Sequence, residues 1–229
     1  MIKLLTLLAA LFAQAQPDTA PDVGGGPVVV ELFTSQGCPM CPEANALLEE
    51  IGSDQAVIAI AYGVGWWDIY GWTDEFARPE FAERQQAYVD AGEAMRVYTP
   101  HYVVNGSPEK MRFSADTVRE AVAGARALPA LVTAPGGAVT LDGPARAAPA
   151  QIWRADYRPG SVTRRIEAGA NAGRAMAHFN MATAITALGD WTGGPLTLTL
   201  DPPGDGLETA VMVQDGPGGR IIAAGVLTP

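Results

Sequence analysis

The order of the predicted elements indicates an α/β fold followed by a small antiparallel β extension. Up to about residue 128, apolar β-branched runs alternate with helical patterns in the order β-α-β-insert-α-β-β-α. Beyond that point, clusters of proline and glycine separate short extended runs, which is typical of antiparallel strands. We therefore predict an α/β domain over residues 28–133, a linker over 134–150 and a C-terminal, mainly β subdomain over 151–229.

The N-terminal segment has the features of a secretory signal peptide. A positive start precedes an apolar run at Leu4–Ala13, and Ala13-Gln14-Ala15 supplies the small residues of a cleavage site. The run is shorter than the roughly 20 residues that span a bilayer. We predict a signal peptide over residues 1–15 and a flexible lead-in over 16–27. This predicts a periplasmic or secreted bacterial protein without membrane insertion after cleavage; a buried first strand or an uncleaved anchor is the alternative.

The chain is acidic, which bears on its partners. Its formal net charge is −10 and becomes −11 once a signal peptide containing Lys3 is removed. Nucleic acids and anionic membranes bind basic surfaces, so neither is expected as a partner. The composition carries no signature of oligomeric state.

Three elements are predicted around the cysteines. Pro27–Phe33 is apolar and β-branched, which indicates a buried strand, and Val57–Tyr62 has the same character. Between them, Pro42–Ile51 is predicted as a helix. Proline and Glu43 suit its first turn, and its apolar residues fall on one face.

The stretch up to residue 128 contains three more elements. Arg78–Glu93 has apolar residues near helical spacing. Tyr102–Gly106 predicts a strand that runs into an Asn-Gly hairpin turn. Asp116–Arg126 is predicted as a helix with Ser114 as a candidate N-cap.

After residue 150, turn clusters rich in proline and glycine separate five predicted extended runs. The runs are 151–157, 161–167, 196–200, 209–214 and 220–227. Met176, His178 and Met181 have a helical spacing, which is more typical of core and surface residues than of a copper site.

The only two cysteines, Cys38 and Cys41, stand at the start of the first predicted helix. A structural disulfide across so short a loop would contribute only about 2 kcal/mol. A structural zinc site needs four ligands, and only His101 and His178 could supplement the thiols. A copper(I) site is more compatible, because soft sulfur ligands select that ion and Met40 lies between the cysteines.

Redox chemistry accounts for the position of the pair as well as its spacing. A thiol at the start of a helix faces unpaired backbone N–H groups, which stabilise the thiolate and lower its pKa. The thiolate attacks a disulfide, and a second thiol one turn further on resolves the mixed disulfide. We therefore predict Cys38, nearer solvent, as the nucleophile and Cys41 as the resolving thiol. Copper(I) binding and structural use are the alternatives.

Several segments resemble known proteins. The strand, the CxxC at a helix start and the later Thr99-Pro100-His-Tyr-Val-Val-Asn-Gly106 are similar to the thioredoxin fold. More narrowly, VVELFTSQGCPMCPEANALL, WWDIYGWTDEFARPEFAERQQAYV and VYTPHYVVNG resemble the secreted, thioredoxin-like domain-of-unknown-function family 1223. AHFNMATAITALGDW and AVMVQDGPGGRIIAAG resemble the tail of that family. The resemblance implies a thioredoxin-like fold with an aromatic, partly helical insert, and a thiol–disulfide role.

The chain departs from the family at two places. Pro39 and Met40 stand where the family more often has small hydroxyl residues, so the redox potential does not carry over. Gly63 and Gly65 replace the polar or aromatic side chains that are common in that loop. An additional catalytic group from the loop is therefore not expected.

The resemblance assigns Pro100 and, beside it, Thr99; His101 and Glu31 are candidates because of their positions in the sequence. Pro100 corresponds to the cis-proline of the thioredoxin fold, with an ordinary trans proline as the alternative. Thr99 would offer backbone hydrogen bonds to a substrate chain. His101 is a candidate for tuning the pKa of the thiolate, or a surface histidine. Glu31 is a candidate buried proton acceptor for Cys41, or a strand-edge residue in water.

The insert contains three of the five tryptophans within seven residues. Trp66 and Trp67 are candidate substrate-binding residues, because large amphipathic rings can line a groove for a peptide. The alternative is a satellite core that seals the following helix, with Asp68 as a cap.

Together these features predict an exported thiol–disulfide oxidoreductase whose partners are protein thiols or disulfides. Cys38, Cys41 and Pro100 are its predicted catalytic residues, with no metal and no organic cofactor. A copper(I)-binding chaperone using the same cysteines and a non-catalytic thioredoxin-like binding module are the alternatives.

Overall fold

The computed structural model describes residues 25–92, 94–108, 113–134 and 136–227. The predicted signal peptide and most of the predicted lead-in lie outside these residues. The helices are α1 Cys41–Gly52, α2 Pro79–Asp90 and α3 Ala115–Gly124, with short 3-10 helices at Gly65–Tyr70 and Gly169–Asn171. The strands are β1 Val28–Thr34, β2 Val57–Gly63, β3 His101–Val104, β4 Ser107–Pro108, β5 Val132–Ala134, β6 Ala138–Leu141, β7 Ala150–Arg165, β8 Ala175–Trp191, β9 Leu196–Thr199, β10 Glu208–Gln214 and β11 Ile221–Leu227.

The architecture is mixed α/β, with one large sheet and few helices. Eight strands form the large sheet in the order β11-β10-β7-β8-β2-β1-β3-β4, and β5-β6-β9 form a smaller sheet. β1 pairs in parallel with β2 and antiparallel with β3. β8 joins β2 in parallel at Ala61 and Met181, so strands from both ends of the chain share one sheet.

β1 is buried on both faces, and its side chains alternate between two cores. Leu32 packs with Leu48 of α1 and Val118 of α3 in one cluster. Phe33 packs with Tyr88 of α2 in the other cluster. Helices therefore cover both faces of the sheet at β1.

The predicted helices are confirmed with small changes at their ends. α1 is one residue longer at each end than the predicted Pro42–Ile51. α2 ends at Asp90 rather than Glu93, because Ala91 caps it and Gly92 has a φ of 79°. Ser114 occupies the N-cap position of α3 without a side-chain capping hydrogen bond.

The long strands in the C-terminal half differ from the prediction. β7 is one strand of 16 residues that includes two predicted runs, with a shift in pairing register between Arg158 and Ser161. The helical spacing assigned to Met176, His178 and Met181 is wrong, because all three lie in β8. Polar and glycine residues interrupt the alternation of apolar and polar residues that would predict a strand here. The strand is stabilised by its pairing with β7, which a local pattern does not show.

The segment predicted as a linker also forms regular structure. β6 lies within residues 134–150 and belongs to the small sheet. Val139 of β6 packs against Ile152 of β7 and Val211 of β10, so the small sheet covers the C-terminal strands of the large one. None of the helices within the described residues is long and apolar enough to cross a membrane.

Candidate functional site

The two cysteines lie where β1 passes into α1. Cys38 follows the strand in the connecting loop, and Cys41 is the first residue of the helix. Both are free thiols with no exposed surface. Neither thiol reaches the surface, although Cys38 is less deeply buried than Cys41. Pro39 and Met40 between the cysteines are exposed instead, Met40 by 50%.

The cover over the cysteines comes from distant parts of the chain. Cys38 and Cys41 form one buried cluster with Ile166 and Met176. Trp67 and Trp72 pack against this cluster from the insert. A local sequence pattern cannot show such a cover, because Ile166 after β7, Met176 of β8 and the tryptophans of the insert reach the site only through the tertiary fold.

Gly37 allows the insert to approach the cysteine loop. A Cβ at this position would lie 2.6 Å from Cβ of Trp67, far inside van der Waals contact. Any side chain here would displace the 3-10 helix that carries Trp67.

Several groups stabilise a thiolate at Cys38. Its pKa is lowered to about 7, chiefly by hydrogen bonding to the Cys41 thiol. Burial opposes this shift, whereas the Thr99 hydroxyl and the backbone N–H groups of Met40 and Cys41 lower the pKa further. These N–H groups belong to the start of α1, where backbone donors have no helical partner.

Cys41 has the opposite environment. Burial raises its pKa well above the ordinary value, and the neighbouring Cys38 raises it further. At neutral pH Cys41 therefore keeps its proton while Cys38 is close to half ionised. The site thus differentiates the two thiols, with the charge on Cys38.

Thr99 and Pro100 lie beside the cysteines at the start of β3. The Thr99–Pro100 peptide bond has the predicted cis geometry. Trp67 Nε1 donates a hydrogen bond of 2.7 Å to Oγ1 of Thr99. The structure thus brings the candidate substrate-binding residues Trp67 and Thr99 together, as a layer that contacts the thiols.

Trp66 and His101 lie in a second group around Gln85. Trp66 is 42% exposed, and its Nε1 donates to Oε1 of Gln85 at 2.8 Å. Gln85 Nε2 lies 3.2 Å from Nδ1 of His101. His101 is buried against Phe33 and Tyr98, so the surface alternative is wrong. Burial lowers its pKa to about 4 and leaves the ring neutral at pH 7.

Glu31 is buried and engaged away from the cysteines. Its carboxylate accepts hydrogen bonds from Arg84 Nε at 2.6 Å and from the Tyr88 hydroxyl at 2.5 Å. The strand-edge alternative in water is therefore wrong. The carboxylate links β1 to α2 inside the core.

Asn171, which no sequence motif singles out, holds the cysteine loop through its side-chain amide. Its Nδ2 donates to the carbonyl oxygens of Gln36 and Cys38, at 2.9 and 2.8 Å. Asn171 is fully buried in the short 3-10 helix before β8. Its only signal in the sequence is an asparagine in a glycine-containing turn.

Asp74 and Trp72 fix Gln36 from the side of the insert. The Gln36 backbone N–H donates to Asp74 at 2.7 Å, and Trp72 Nε1 donates to the Gln36 side chain at 2.8 Å. Burial raises the pKa of Asp74 to about 6, although hydrogen bonds from the N–H groups of Gln36 and Phe76 counteract the shift. Gln36 is therefore held by residues that lie 36 or more positions away.

No cluster of three or more histidine, cysteine, aspartate or glutamate side chains able to hold a metal occurs in the described part of the chain. Sulfur ligands are present, however, because Met176 shares the buried cluster with both thiols. The donor set fits a soft monovalent ion better than zinc or a hard divalent cation.

The fold and the site together define a mixed α/β protein with two buried, unequal thiols at the start of a helix. The chain belongs to the family described as "Protein of unknown function (DUF1223)", whose model matches residues 29–214. No curated protein matches the chain.

Two solved structures are similar to this chain. Protein AGR_C_4864 from Agrobacterium tumefaciens is 28% identical, with a TM-score of 0.68 over 89% of this chain and 94% of that one. HBP35 of Porphyromonas gingivalis is 17% identical, with a TM-score of 0.57 over 89% of this chain and 75% of that one. The second likeness concerns the fold alone.

Proposed function

We propose that this protein is an exported thiol–disulfide oxidoreductase that acts on protein thiols or disulfides. The observation that carries the proposal is the set of donors around Cys38. The Cys41 thiol, the Thr99 hydroxyl and two backbone N–H groups favour its thiolate. A thiolate stabilised by such donors is the nucleophile that disulfide exchange needs, once the cover over the thiols opens to a partner.

We also propose a thioredoxin-like fold for the first part of the chain. Supporting features are the parallel β1-α1-β2 unit, the antiparallel β3-β4 pair and the helix α3 that follows. The cis bond before Pro100, beside a CxxC at a helix start, agrees with the resemblance noted in the sequence.

Each exchange reaction has two steps. The Cys38 thiolate attacks one sulfur of a partner disulfide, the partner S–S bond breaks, and the other partner sulfur leaves as a thiolate that takes up a proton. Cys41 then loses its proton and attacks Cys38, which releases the second partner thiol. The partner gains two electrons and the Cys38–Cys41 disulfide forms; the reverse sequence oxidises a partner dithiol.

Trapping of partners tests this proposal. In a Cys41→Ala variant the second step is blocked, so mixed disulfides through Cys38 should accumulate in the exported compartment. A Cys38→Ala/Cys41→Ala variant is the matched control and should trap nothing. Mixed disulfides that form only with Cys38→Ala would reverse the assigned roles, and their absence from both single variants would refute the exchange reaction.

Export is a separate part of the proposal. Cleavage after Ala15 should give a mature N-terminus at Gln16, which mass spectrometry of the protein recovered from the periplasm or medium detects. An intact Met1 on protein that remains in the cytoplasm would contradict it.

Copper(I) binding is a second candidate, favoured by the position of Met176 beside both thiols. Two thiolates and a thioether away from water suit copper(I). Anaerobic titration of the reduced protein against a chromophoric copper(I) chelator tests it. Met176→Leu should weaken binding and Met181→Leu, on the same strand but in another cluster, should not. A failure of wild-type protein to compete with the chelator excludes copper handling.

A further inference from the structure

The loop that joins β7 to β8 closes the site. We call residues 166–174 the hairpin loop. Ile166 at its start shares one buried cluster with Cys38 and Cys41, and Gly169 lies close enough to Trp72 that an added Cβ would be 3.3 Å from the Trp72 Cβ. The loop is therefore part of the cover that a partner disulfide must displace to reach Cys38.

The hairpin loop is braced by its own backbone hydrogen bonds. Ile166 N–H donates to the Arg174 carbonyl at 2.9 Å, and Gly173 N–H donates to the Ile166 carbonyl at 2.8 Å. The Arg174 side chain donates to Oδ1 of Asn171 at 3.2 Å, which fixes the orientation of the amide. Because these bonds lie within the loop, a movement about the ends of β7 and β8 would not have to break them.

Asn171 joins this loop to the residues around Cys38 by side-chain hydrogen bonds. An asparagine amide carries two N–H donors, and here the Nδ2 atom bonds both the Gln36 and the Cys38 carbonyl oxygens. Since Asn171 is fully buried, opening the loop breaks two buried hydrogen bonds.

We propose that Asn171 is a positioning residue that holds the hairpin loop closed over Cys38 and so controls the access of protein substrates to the thiolate. This inference rests on the proposed function for its biological purpose. The physical claim about access to Cys38 is independent of it. The loop discriminates by size, because a small reagent needs less opening than a folded or extended polypeptide.

Asn171→Asp gives the sharpest test. The aspartate has nearly the same shape, but its carboxylate has no donor and places negative charge against two carbonyl oxygens. The loop should therefore open more often while its apolar contacts remain. Asn171→Ala removes the donors without adding charge and should act in the same direction.

Asn180 provides a matched control. It lies in β8, its Nδ2 donates to the Ala59 carbonyl at 2.9 Å, and its Oδ1 accepts from Gly160 N–H at 2.8 Å. Its φ of 46° means that Asn180→Ala also strains the backbone. This variant thus lowers stability without touching the cysteine loop.

The experiment measures the rate of alkylation of Cys38 in the reduced, full-length protein. One reagent is small, iodoacetamide, and the other is bulky, a polyethylene-glycol maleimide. All variants carry Cys41→Ala, so that Cys38 is the only thiol that reacts. Loss of two buried hydrogen bonds should raise the rate with the bulky reagent by at least about tenfold in both Asn171 variants. The rate with the small reagent should rise less, so the ratio of the rates changes. The ratio in Asn180→Ala should equal that of the background protein.

Equal ratios in the Asn171 and Asn180 variants would overturn the proposal. If the Asn171 variants do not fold, hydrogen exchange on the wild-type protein decides. The side-chain amide protons of Asn171, whose hydrogen bonds to the Gln36 and Cys38 carbonyl oxygens break when the loop moves, should then exchange faster than the backbone amides of β7 and β8. Protection equal to that of the strands would refute the moving loop. Partner trapping that fails while the alkylation ratio shifts would reject the proposed function and leave the role of Asn171 intact.

Discussion

Trp67 and Thr99 form a hydrogen bond directly beside Cys38, in which the indole Nε1 donates to the threonine hydroxyl at 2.7 Å. With its oxygen occupied by the indole N–H, the hydroxyl directs its own hydrogen to the Cys38 sulfur. Donation into the hydroxyl also polarises it and makes it a better donor. The insert therefore contributes to the chemistry of the thiol through Thr99.

The first prediction concerns this hydroxyl. Thr99→Val keeps the shape of the side chain but removes its donor, so the pKa of Cys38 should rise from about 7 toward the ordinary value of 9.0. A hydrogen bond to a charged group contributes about 1.5–3 kcal/mol, which corresponds to a rise of about one unit or more. The pH dependence of thiolate absorbance near 240 nm measures it.

Thr99→Ser is the control, because it retains the hydroxyl and should leave the pKa of Cys38 near 7. Trp67→Phe should raise the pKa by less than Thr99→Val, since the hydroxyl remains. Identical titration curves for the valine and serine variants would show that Thr99 does not stabilise the thiolate.

The sequence predicts the local part of the site and misses the distant part. Short motifs contain Cys38, Cys41 and Pro100. Each motif is recognised from residues adjacent in the sequence, so one sequence is enough to predict these three site residues. Asn171 reaches the Cys38 carbonyl from 133 positions away. Such a contact depends on the pairing of β7 with β8, and no local pattern encodes that pairing.

The difference between local and long-range contacts also explains which parts of the fold the sequence predicts correctly. Strands and helices up to residue 128 have strong periodic signals, because each buries a continuous apolar face. β8 carries buried residues interrupted by polar and glycine residues, and its register with β7 shifts three times. The join between β2 and β8 rests on one residue pair, which no propensity scale detects.

A second prediction follows from the ionisation of Cys38. The folded pKa lies near 7 and the ordinary value is 9.0, so between these values the unfolded chain holds more protons than the folded one. The free energy of unfolding of the reduced protein should therefore increase from pH 7 to 9, by up to about 3 kcal/mol, and this gain is lost as pH falls through 7.

Urea denaturation at several pH values in the presence of a phosphine reductant measures this dependence. Cys38→Ser removes the titrating group and should flatten the increase within this window. Cys41 does not mask this increase in stability. Its raised pKa keeps it protonated in the folded protein, and in the unfolded chain it titrates mainly near pH 9, the upper end of the range. A serine variant with the wild-type slope would contradict the assigned pKa.

The third prediction concerns the buried pair of Arg84 and Glu31. The guanidinium lies within 6 Å of the ring centres of Tyr62, Tyr88 and Trp153, at 5.9, 5.7 and 5.3 Å. Arg84→Met leaves the Glu31 carboxylate buried without its cation and should lower the free energy of unfolding by about 3–5 kcal/mol. Arg84→Met/Glu31→Gln should recover part of the loss, as measured by urea denaturation.

Arg119→Met is the control, since its pair with Glu50 is largely exposed and its removal should have a much smaller effect. The pKa of Cys38 should be unchanged in Glu31→Gln, because Glu31 bonds Arg84 and Tyr88. A shifted thiolate titration in that variant would support Glu31 as a tuning group.

The last prediction concerns Asp74, which binds the backbone N–H groups of Gln36 and Phe76. Burial raises its folded pKa to about 6 from an ordinary 3.8, so the folded protein holds this proton more tightly than the unfolded chain. Its contribution to stability is fully present below pH 3.8 and is lost as pH rises through 6, by up to about 3 kcal/mol.

Asp74→Asn cannot titrate, so the difference in unfolding free energy between wild type and variant should change across pH 4–6 and stay constant above about pH 7. The variant also places an amide N–H group against one of the two backbone donors, which lowers its stability by a pH-independent amount. Urea denaturation of both proteins from pH 4 to 8 separates the two effects. A difference that does not vary with pH would show that folding does not shift the pKa of Asp74, and the burial argument for this carboxyl would fail.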